Sequence, residues 1–496
     1  MYSLGYDIGS SSIKAVLLNL ETGAVEGNAF SPKTEMPIVA VRPGWAEQDP
    51  AMWWEHLKSA TAEILAHSKI KKDQIGSIGI SYQMHGLVVI DKDQKVLRPS
   101  IIWCDSRAVE IGDKAFEAIG AKKCLGMLLN SPGNFTASKL RWVRENEPDL
   151  YGKIDKFFLP GDYIGLRLTG EAATTISGLS EGILWNFKTH SAAADVLSRY
   201  DIGPELIPKV VPTFGDQGKL SKAAATELGL PKGIPVTYRA GDQPNNALSL
   251  NVMEPGEIAA TAGTSGVVYG VSESTTYDRE SRVNSFAHVN HEVKRMRIGI
   301  LLCINGTGIA NSWIRKTIGM QSAGYDELNQ LASKVPVGSD GVICLPFGNG
   351  AERMLRNRDL GARLLNVQFN THSQAHVARA VQEGIACALT YGMDIMRTMD
   401  VKPSVIRAGF ANMFLSPVFC QSLAQMASVA IELYNTDGAQ GAARGAAFGA
   451  KLVNSREDMF KGLRREKVIE PEEKSREPYR ALLGRWIEEL KKIYES

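Results

Sequence analysis

Ser3-Leu4-Gly5-Tyr6-Asp7-Ile8-Gly9-Ser10-Ser11-Ser12-Ile13-Lys14-Ala15-Val16-Leu17-Leu18-Asn19 is the stretch that decides the fold class. Residues 3–8 read as a short strand, 9–12 as a tight turn of small residues, and 13–19 as the returning strand. The layout recurs after Gly256. Residues 257–262 form a strand, Gly263-Thr264-Ser265-Gly266 a turn, and 267–270 the return. A chain of 496 residues is too long for one core. The recurrence therefore points to two similar domains facing a cleft, with the boundary between residues 245 and 256. We place the domains at 1–245 and 246–496.

Between these landmarks strands and helices alternate, which makes the class α/β. Residues 50–67 read as a helix, with Asp49 as N-cap and Pro50 at the first helical position. Residues 75–81 and 88–91 are strands. Residues 373–399 repeat apolar side chains at helical spacing. Residues 439–452 are rich in Gly and Ala, which lets a helix approach another backbone or a flat ligand closely. Residues 479–494 form an amphipathic helix with Leu482, Leu483, Trp486, Leu490 and Ile493 on one side.

Composition excludes several function classes. Hydrophobic residues make up 44% of the chain and charged residues 22%, with a formal net charge of +2. So small a surplus gives no footing for nucleic acid or an anionic membrane as partner. The N-terminus enters strand-like sequence with no leader pattern, and no apolar stretch reaches membrane-spanning length. The cysteines Cys104, Cys124, Cys303, Cys344, Cys387 and Cys420 are widely spaced, with no CxxC pair. They are expected to be reduced thiols of a cytoplasmic protein.

Three features carry phosphoryl-transfer chemistry. In the first, Asp7 ends a strand and the turn Gly9-Ser10-Ser11-Ser12 can aim N–H groups and hydroxyls at phosphate oxygens, with Lys14 nearby. A Walker A loop is absent. Taken alone, the segment reads first as an ordinary hairpin with a capping acid. The second is Gly263-Thr264-Ser265-Gly266, which alone reads as a plain turn. The third is Ala240-Gly241-Asp242-Gln243-Pro244. It puts an acid at the end of a strand and the start of a helix, as a proton acceptor or as a helix N-cap. A fourth group suits a polyol, because sugars are held by flat apolar faces and a few fixed polar groups. It comprises Gln83-Met84-His85-Gly86 and Trp103-Cys104-Asp105-Ser106-Arg107. His85 and Trp103 can also be core residues, and Asp105 can simply pair with Arg107.

With these residues in view, the chain resembles the FGGY carbohydrate kinases, and within them the xylulokinase branch. Asp7 to Ser12 with Lys14 is similar to that family's first phosphate motif. Gly44-Trp45-Ala46-Glu47-Gln48-Asp49-Pro50 with Trp53-Trp54 resembles its GW-EQDP-WW signature. Gln83-Met84-His85-Gly86 resembles the branch's sugar segment, and the run from Pro99 to Arg107 matches another. Asn134-Phe135-Thr136-Ala137-Ser138-Lys139-Leu140 and Leu159-Pro160-Gly161-Asp162-Tyr163 match two more stretches. Gly241-Asp242-Gln243 is similar to the catalytic GDQ, and Gly263 to Gly266 to the second phosphate motif.

The resemblance implies two actin-like (ribonuclease H-like) ATPase domains flanking a cleft that holds Mg-ATP. It implies Asp242 as general base toward O5 of D-xylulose, Asp7 and Asp242 near Mg2+, and Gln83, Met84, His85, Trp103, Asp105 and Gln243 about the sugar. Gly9, Ser10, Ser11, Ser12, Lys14, Gly263, Thr264, Gly409 and Asn412 would approach the nucleotide. A homodimer is a family-level expectation. The pattern departs at Ala408-Gly409-Phe410-Ala411-Asn412, where Phe410 stands in place of a glycine; its ring packs on the base or turns away. It departs again at Gly350-Ala351-Glu352-Arg353-Met354. An ionised Asp242 is required, for which an ordinary carboxylate pKa serves at neutral pH. Other ketoses or polyols, such as ribulose or glycerol, are alternatives. A non-catalytic nucleotide- or sugar-binding sensor on the same fold is a third reading.

Overall fold

The computed structural model describes residues 1–495. Strand β1 (Tyr2–Ile8) turns into β2 (Ile13–Asn19), paired antiparallel with Asp7 opposite Lys14. β3 (Val25–Ser31) continues the meander on β2. On the other side of β1 lies β4 (Ile75–Tyr82), parallel to it, and then β5 (Val236–Gly241), parallel to β4. The sheet order is β3-β2-β1-β4-β5. Its parallel strands are buried on both faces, so their sequences show no regular alternation of apolar and polar residues.

The helix Pro50–His67 forms where its signals place it. The Asp49 carboxylate accepts from the Ala51 N–H at 2.9 Å, a cap that contributes about 1 kcal/mol. Trp53 and Trp54 of this helix are completely buried in the core beneath the sheet.

Strands β6 (Glu257–Ala262), β7 (Gly266–Ser272), β8 (Asn284–Ala287), β9 (Ile298–Ile304), β10 (Val405–Gly409), β11 (Ile431–Tyr434) and β12 (Arg465–Ile469) form a second sheet. Its order is β8-β9-β7-β6-β10-β11-β12. β6 and β7 are antiparallel, while β6, β10 and β11 run parallel. The run β9-β7-β6-β10-β11 repeats the order β3-β2-β1-β4-β5. The recurrence seen in the sequence is thus a recurrence of topology.

Packing divides the chain into two units, and neither is continuous. The first holds Met1–Asn251, Phe286–Ile298 and Thr436–Leu463; the second holds Val252–Ser285, Gly299–Asn435 and Arg464–Ser496. The Gly/Ala-rich stretch is a helix, Gly438–Gly449, and it belongs to the first unit. It lies directly on β1 and β4. A side chain at Gly5 would collide with the Ala439 carbonyl, and one at Gly79 with the Ala442 carbonyl. Small residues on both partners are what allow a contact this close. Within the second unit, the helix Arg476–Glu495 buries Trp486, whose indole N–H donates to the Cys344 carbonyl at 2.8 Å.

Candidate active site

In the first unit, register gathers the candidate residues at one sheet edge. Ile8 pairs with Tyr82 and Tyr82 with Gly241, so three parallel strands end side by side. Gly9–Ser12, Gln83–Gly86 and Asp242 therefore leave the sheet together, at the carboxyl edge where open α/β sheets bind ligands. Asp242 is the first residue of the helix Asp242–Ser249, and Gly241 is its N-cap. The N-cap reading of Asp242 is thus set aside.

Asp7 and Asp242 are recessed but partly open. The Asp7 carboxylate accepts from Ser81 Oγ at 2.8 Å. Loss of surrounding water raises its pKa, Lys14 and the Ser81 hydrogen bond lower it, and Asp437 raises it again. Asp242 is pushed up to about 7, first by loss of water, then by the neighbouring charge of Asp7. The sequence leads one to expect an ordinary carboxylate pKa here; the structure corrects this. Hydrogen bonds from Gln243 and from the backbone oppose the rise without cancelling it.

The turn after β1 closes through Gly9 N–H to the Ser12 carbonyl at 3.2 Å. Gln48 holds it from outside: its amide donates to the Ser10 carbonyl at 2.7 Å and its Oε1 accepts from the Trp53 indole at 3.0 Å. Trp103 is half exposed and its indole donates to Ser10 Oγ at 3.3 Å, which brings a sugar-segment residue to the phosphate turn. Lys14 is exposed.

Gln83 is buried, its N–H donating to the Ile8 carbonyl at 2.8 Å, while its Oε1 has no partner. Met84 is buried beside Gly241. The His85 ring packs against Phe135 and Phe286, at 4.7 and 5.3 Å between centroids. Asp105 takes the bland alternative. It is fully buried, paired with Arg107 at 2.7 Å and bonded by the Ala46 N–H at 2.6 Å, so its carboxylate fixes the loop. Glu47, also in the quoted signature, pairs with Arg98 and with Arg107.

The second unit presents its own pocket. β6 and β10 run parallel, so Gly263-Thr264 and the segment after Gly409 emerge at the same edge. There a cavity of about 420 Å3 is lined by Gly263, Thr264, Gly308, Ser312, Asn329 and Asn412, among others. The helix Gly308–Thr317 starts against this turn, with Gly308 N–H donating to the Gly263 carbonyl at 2.8 Å. Asn412 adopts φ 55°. The size and the mix of apolar wall and few polar groups suit a nucleoside. Phe410 does not line this cavity; its ring is 45% exposed and its N–H donates to the Tyr434 carbonyl at 2.8 Å. Glu352, from the other divergent segment, is buried and accepts from the Asn305 N–H at 2.9 Å.

Sequence reading missed several residues of the first-unit site. Asp437-Gly438 sits beside Asp7, with Gly438 so close that a Cβ would lie 2.7 Å from Asp7 Oδ2. Its signal was available: an acid after a strand and before a helix, as at Asp242. Glu181 and Lys139 are both fully buried behind His85; Lys139 lies in a quoted stretch that assigned it no role, and Glu181 gave no signal.

No helix among the described residues is long and apolar enough to cross a membrane. The N-terminal domain of the FGGY family of carbohydrate kinases matches residues 2–249, and the C-terminal domain of that family matches residues 258–451. The chain is 30% identical to a xylulose kinase of Klebsiella pneumoniae over 99% of both chains. It is 30% identical to a xylulose kinase of Escherichia coli over 91% of this chain and 90% of that one. The crystal structure of xylulose kinase from Rhodospirillum rubrum superposes with a TM-score of 0.90, at 25% identity, over 100% of both chains. With two actin-like (ribonuclease H-like) domains and relatives matched along nearly its whole length, the chain belongs to the FGGY family of carbohydrate kinases, enzymes that transfer phosphate to a sugar.

Proposed function

We propose that the protein transfers the γ-phosphate of ATP to O5 of D-xylulose, with Asp242 as general base. One observation carries this reading: the strand register that sets Asp242, Asp7 and the Gln83–Gly86 turn at a single sheet edge. D-Xylulose as substrate is supported by the two curated relatives named above, both xylulose kinases. A base with a pKa near the working pH combines the ionised fraction with proton affinity, and a value of about 7 at Asp242 fits that task. Asp242 accepts the hydroxyl proton as the oxygen attacks phosphorus. The N–H groups around Ser10 to Ser12 donate to phosphate oxygens, as do those of Gly263 to Gly266 in the second unit, whose 420 Å3 cavity takes the nucleoside.

The residues also fit Mg2+. Asp7 and Asp242 are recessed carboxylates whose pKa values are raised first by loss of water, with the charge of Asp7 adding to the rise at Asp242. Mg2+ is held by one or two such oxygens plus water and phosphate, so a cage of three or more protein ligands is not required. The ion would neutralise charge on the phosphates. In the sugar pocket Met84, His85 and Trp103 would supply apolar faces and Gln83 and Gln243 polar contacts. Cys104, Cys124, Cys303, Cys344, Cys387 and Cys420 are all free thiols, in keeping with a reducing, cytoplasmic setting.

Sugar-stimulated ADP release, measured over D-xylulose, ribulose and glycerol, tests the reading. D-Xylulose is expected to give the highest kcat/KM. A higher value for another polyol would reassign the substrate. ATP binding with no stimulation by any sugar would favour a sensor and refute the kinase reading. Asp242→Ala is expected to abolish transfer while weakening sugar binding far less.

A further inference from the structure

His85 has φ 62°, a left-handed backbone that side chains with a Cβ rarely adopt. Such a residue persists only where its surroundings over-determine it. Here both polar groups of its backbone are taken by buried ionisable side chains. Glu181 Oε1 accepts from the His85 N–H at 3.4 Å, and Lys139 Nζ donates to the His85 carbonyl at 2.9 Å. The imidazole Nδ1 adds a third tie, 3.1 Å from the Glu181 carbonyl oxygen.

Each of the two side chains also reaches a second segment of the same edge. Lys139 Nζ donates to the Ile102 carbonyl at 2.9 Å, immediately before Trp103. The Glu181 carboxyl lies against Gly241, where any side chain would collide with its Oε2, and Gly241 immediately precedes Asp242. Glu181 Oε2 and the Tyr82 hydroxyl are both buried without a well-formed hydrogen bond. Both Lys139 and Glu181 have no exposed surface. Burial pushes the Lys139 ammonium down to about 7 and raises the Glu181 carboxyl. Stability alone is a poor reason for such groups, because an apolar side chain of similar size packs a core without a desolvation cost.

We propose that Lys139 and Glu181 are positioning residues: they grip the His85 peptide from its two ends and fix the sugar-binding turn against Trp103 and Asp242. Neither touches substrate. The inference rests on the sugar-kinase reading above, and it assigns to these two residues the pitch of the pocket that reading requires.

The test is a KM-against-kcat split in Lys139→Met, Glu181→Leu and Glu181→Gln, assayed below the melting temperature of each. Lys139→Met keeps the length of the side chain and removes the grip on both carbonyls. It is expected to lower kcat/KM for the sugar about 10- to 100-fold, the scale of a misplacement near 1 Å, with the loss carried by the sugar KM and with KM for ATP within about twofold. Glu181→Leu is expected to do the same, while Glu181→Gln, which keeps an acceptor for the His85 N–H, stays near wild type. A merely structural role would lower the melting temperature and leave the sugar KM of the folded enzyme unchanged. That result in Lys139→Met overturns the proposal, and if Lys139→Met does not fold, the same result in Glu181→Leu overturns it. The wild type is assayed first on the sugar panel. Its failure on every sugar would sink the kinase reading and this inference with it, whereas an active wild type with normal sugar KM in the variants sinks the inference alone.

Discussion

Asp242→Asn is expected to stop turnover and, at alkaline pH, to stabilise the fold. The carboxyl titrates near 3.8 when unperturbed and near 7 in the folded protein. Below 3.8 it is protonated folded and unfolded, and it costs nothing. As pH rises toward 7 the unfolded chain ionises and the folded one does not, so stability falls; above 7 the loss is complete. Three units correspond to at most about 4 kcal/mol, and partial solvent access at the carboxyl reduces this toward about 2 kcal/mol. Asparagine has no such penalty at any pH. Urea unfolding of the wild type and Asp242→Asn in chelator-treated buffer at pH 5 and pH 8.5 reads the effect. The variant's advantage is expected to widen by about 1–3 kcal/mol between the two, while kcat falls about 100- to 10,000-fold. An advantage that is the same at both pH values would refute the argument, because it would mean that Asp242 does not titrate high in the fold. Loss of turnover without any stability change would keep the base and reject its electrostatic description.

Two further substitutions probe the remaining edges. Gly438→Ala places a Cβ 2.7 Å from Asp7 Oδ2 and is expected to displace that carboxylate, lowering kcat about 10- to 100-fold and raising the Mg2+ concentration for half-maximal rate. Normal rates at all Mg2+ concentrations would remove Asp7 from the reaction. Phe410→Gly restores the glycine of the related pattern; since the ring is half exposed and does not line the cavity, KM for ATP is expected to stay within about twofold. A larger drop in affinity on nucleotide titration would place that ring on the base.

What the sequence discloses and what it hides follow from the range of the interactions. The β1–β2 hairpin and the helix Pro50–His67 are legible because their signals are local: small turn residues at 9–12, and Asp49 and Pro50 at a helix start. Asp105 is ambiguous for an equally local reason, since the Arg107 that takes its charge is two residues away and both readings share the same letters. Asp242 changes character first through loss of water in the fold and then through a partner more than 230 positions earlier, Asp7, and no spacing rule reports either. The Gly438–Gly449 helix shows its need for close approach in its composition. What it approaches, Gly5 and Gly79, is fixed only by the folded sheet. The roles of Lys139 and Glu181 were hidden more deeply, because burial is what makes them unusual and their identity is not.

The placement of that late helix bears on how the protein is made. When the first 251 residues have left the ribosome, every strand of the first sheet exists, yet the face of β1 and β4 that carries Gly5 and Gly79 has no cover. The cover arrives with residues 436–463, after Val252–Ser285 and Gly299–Asn435 of the second unit have been synthesised. Domains of most chains mature in the order they emerge. Here the first must wait with a bare flank until residues 436–463 have been made.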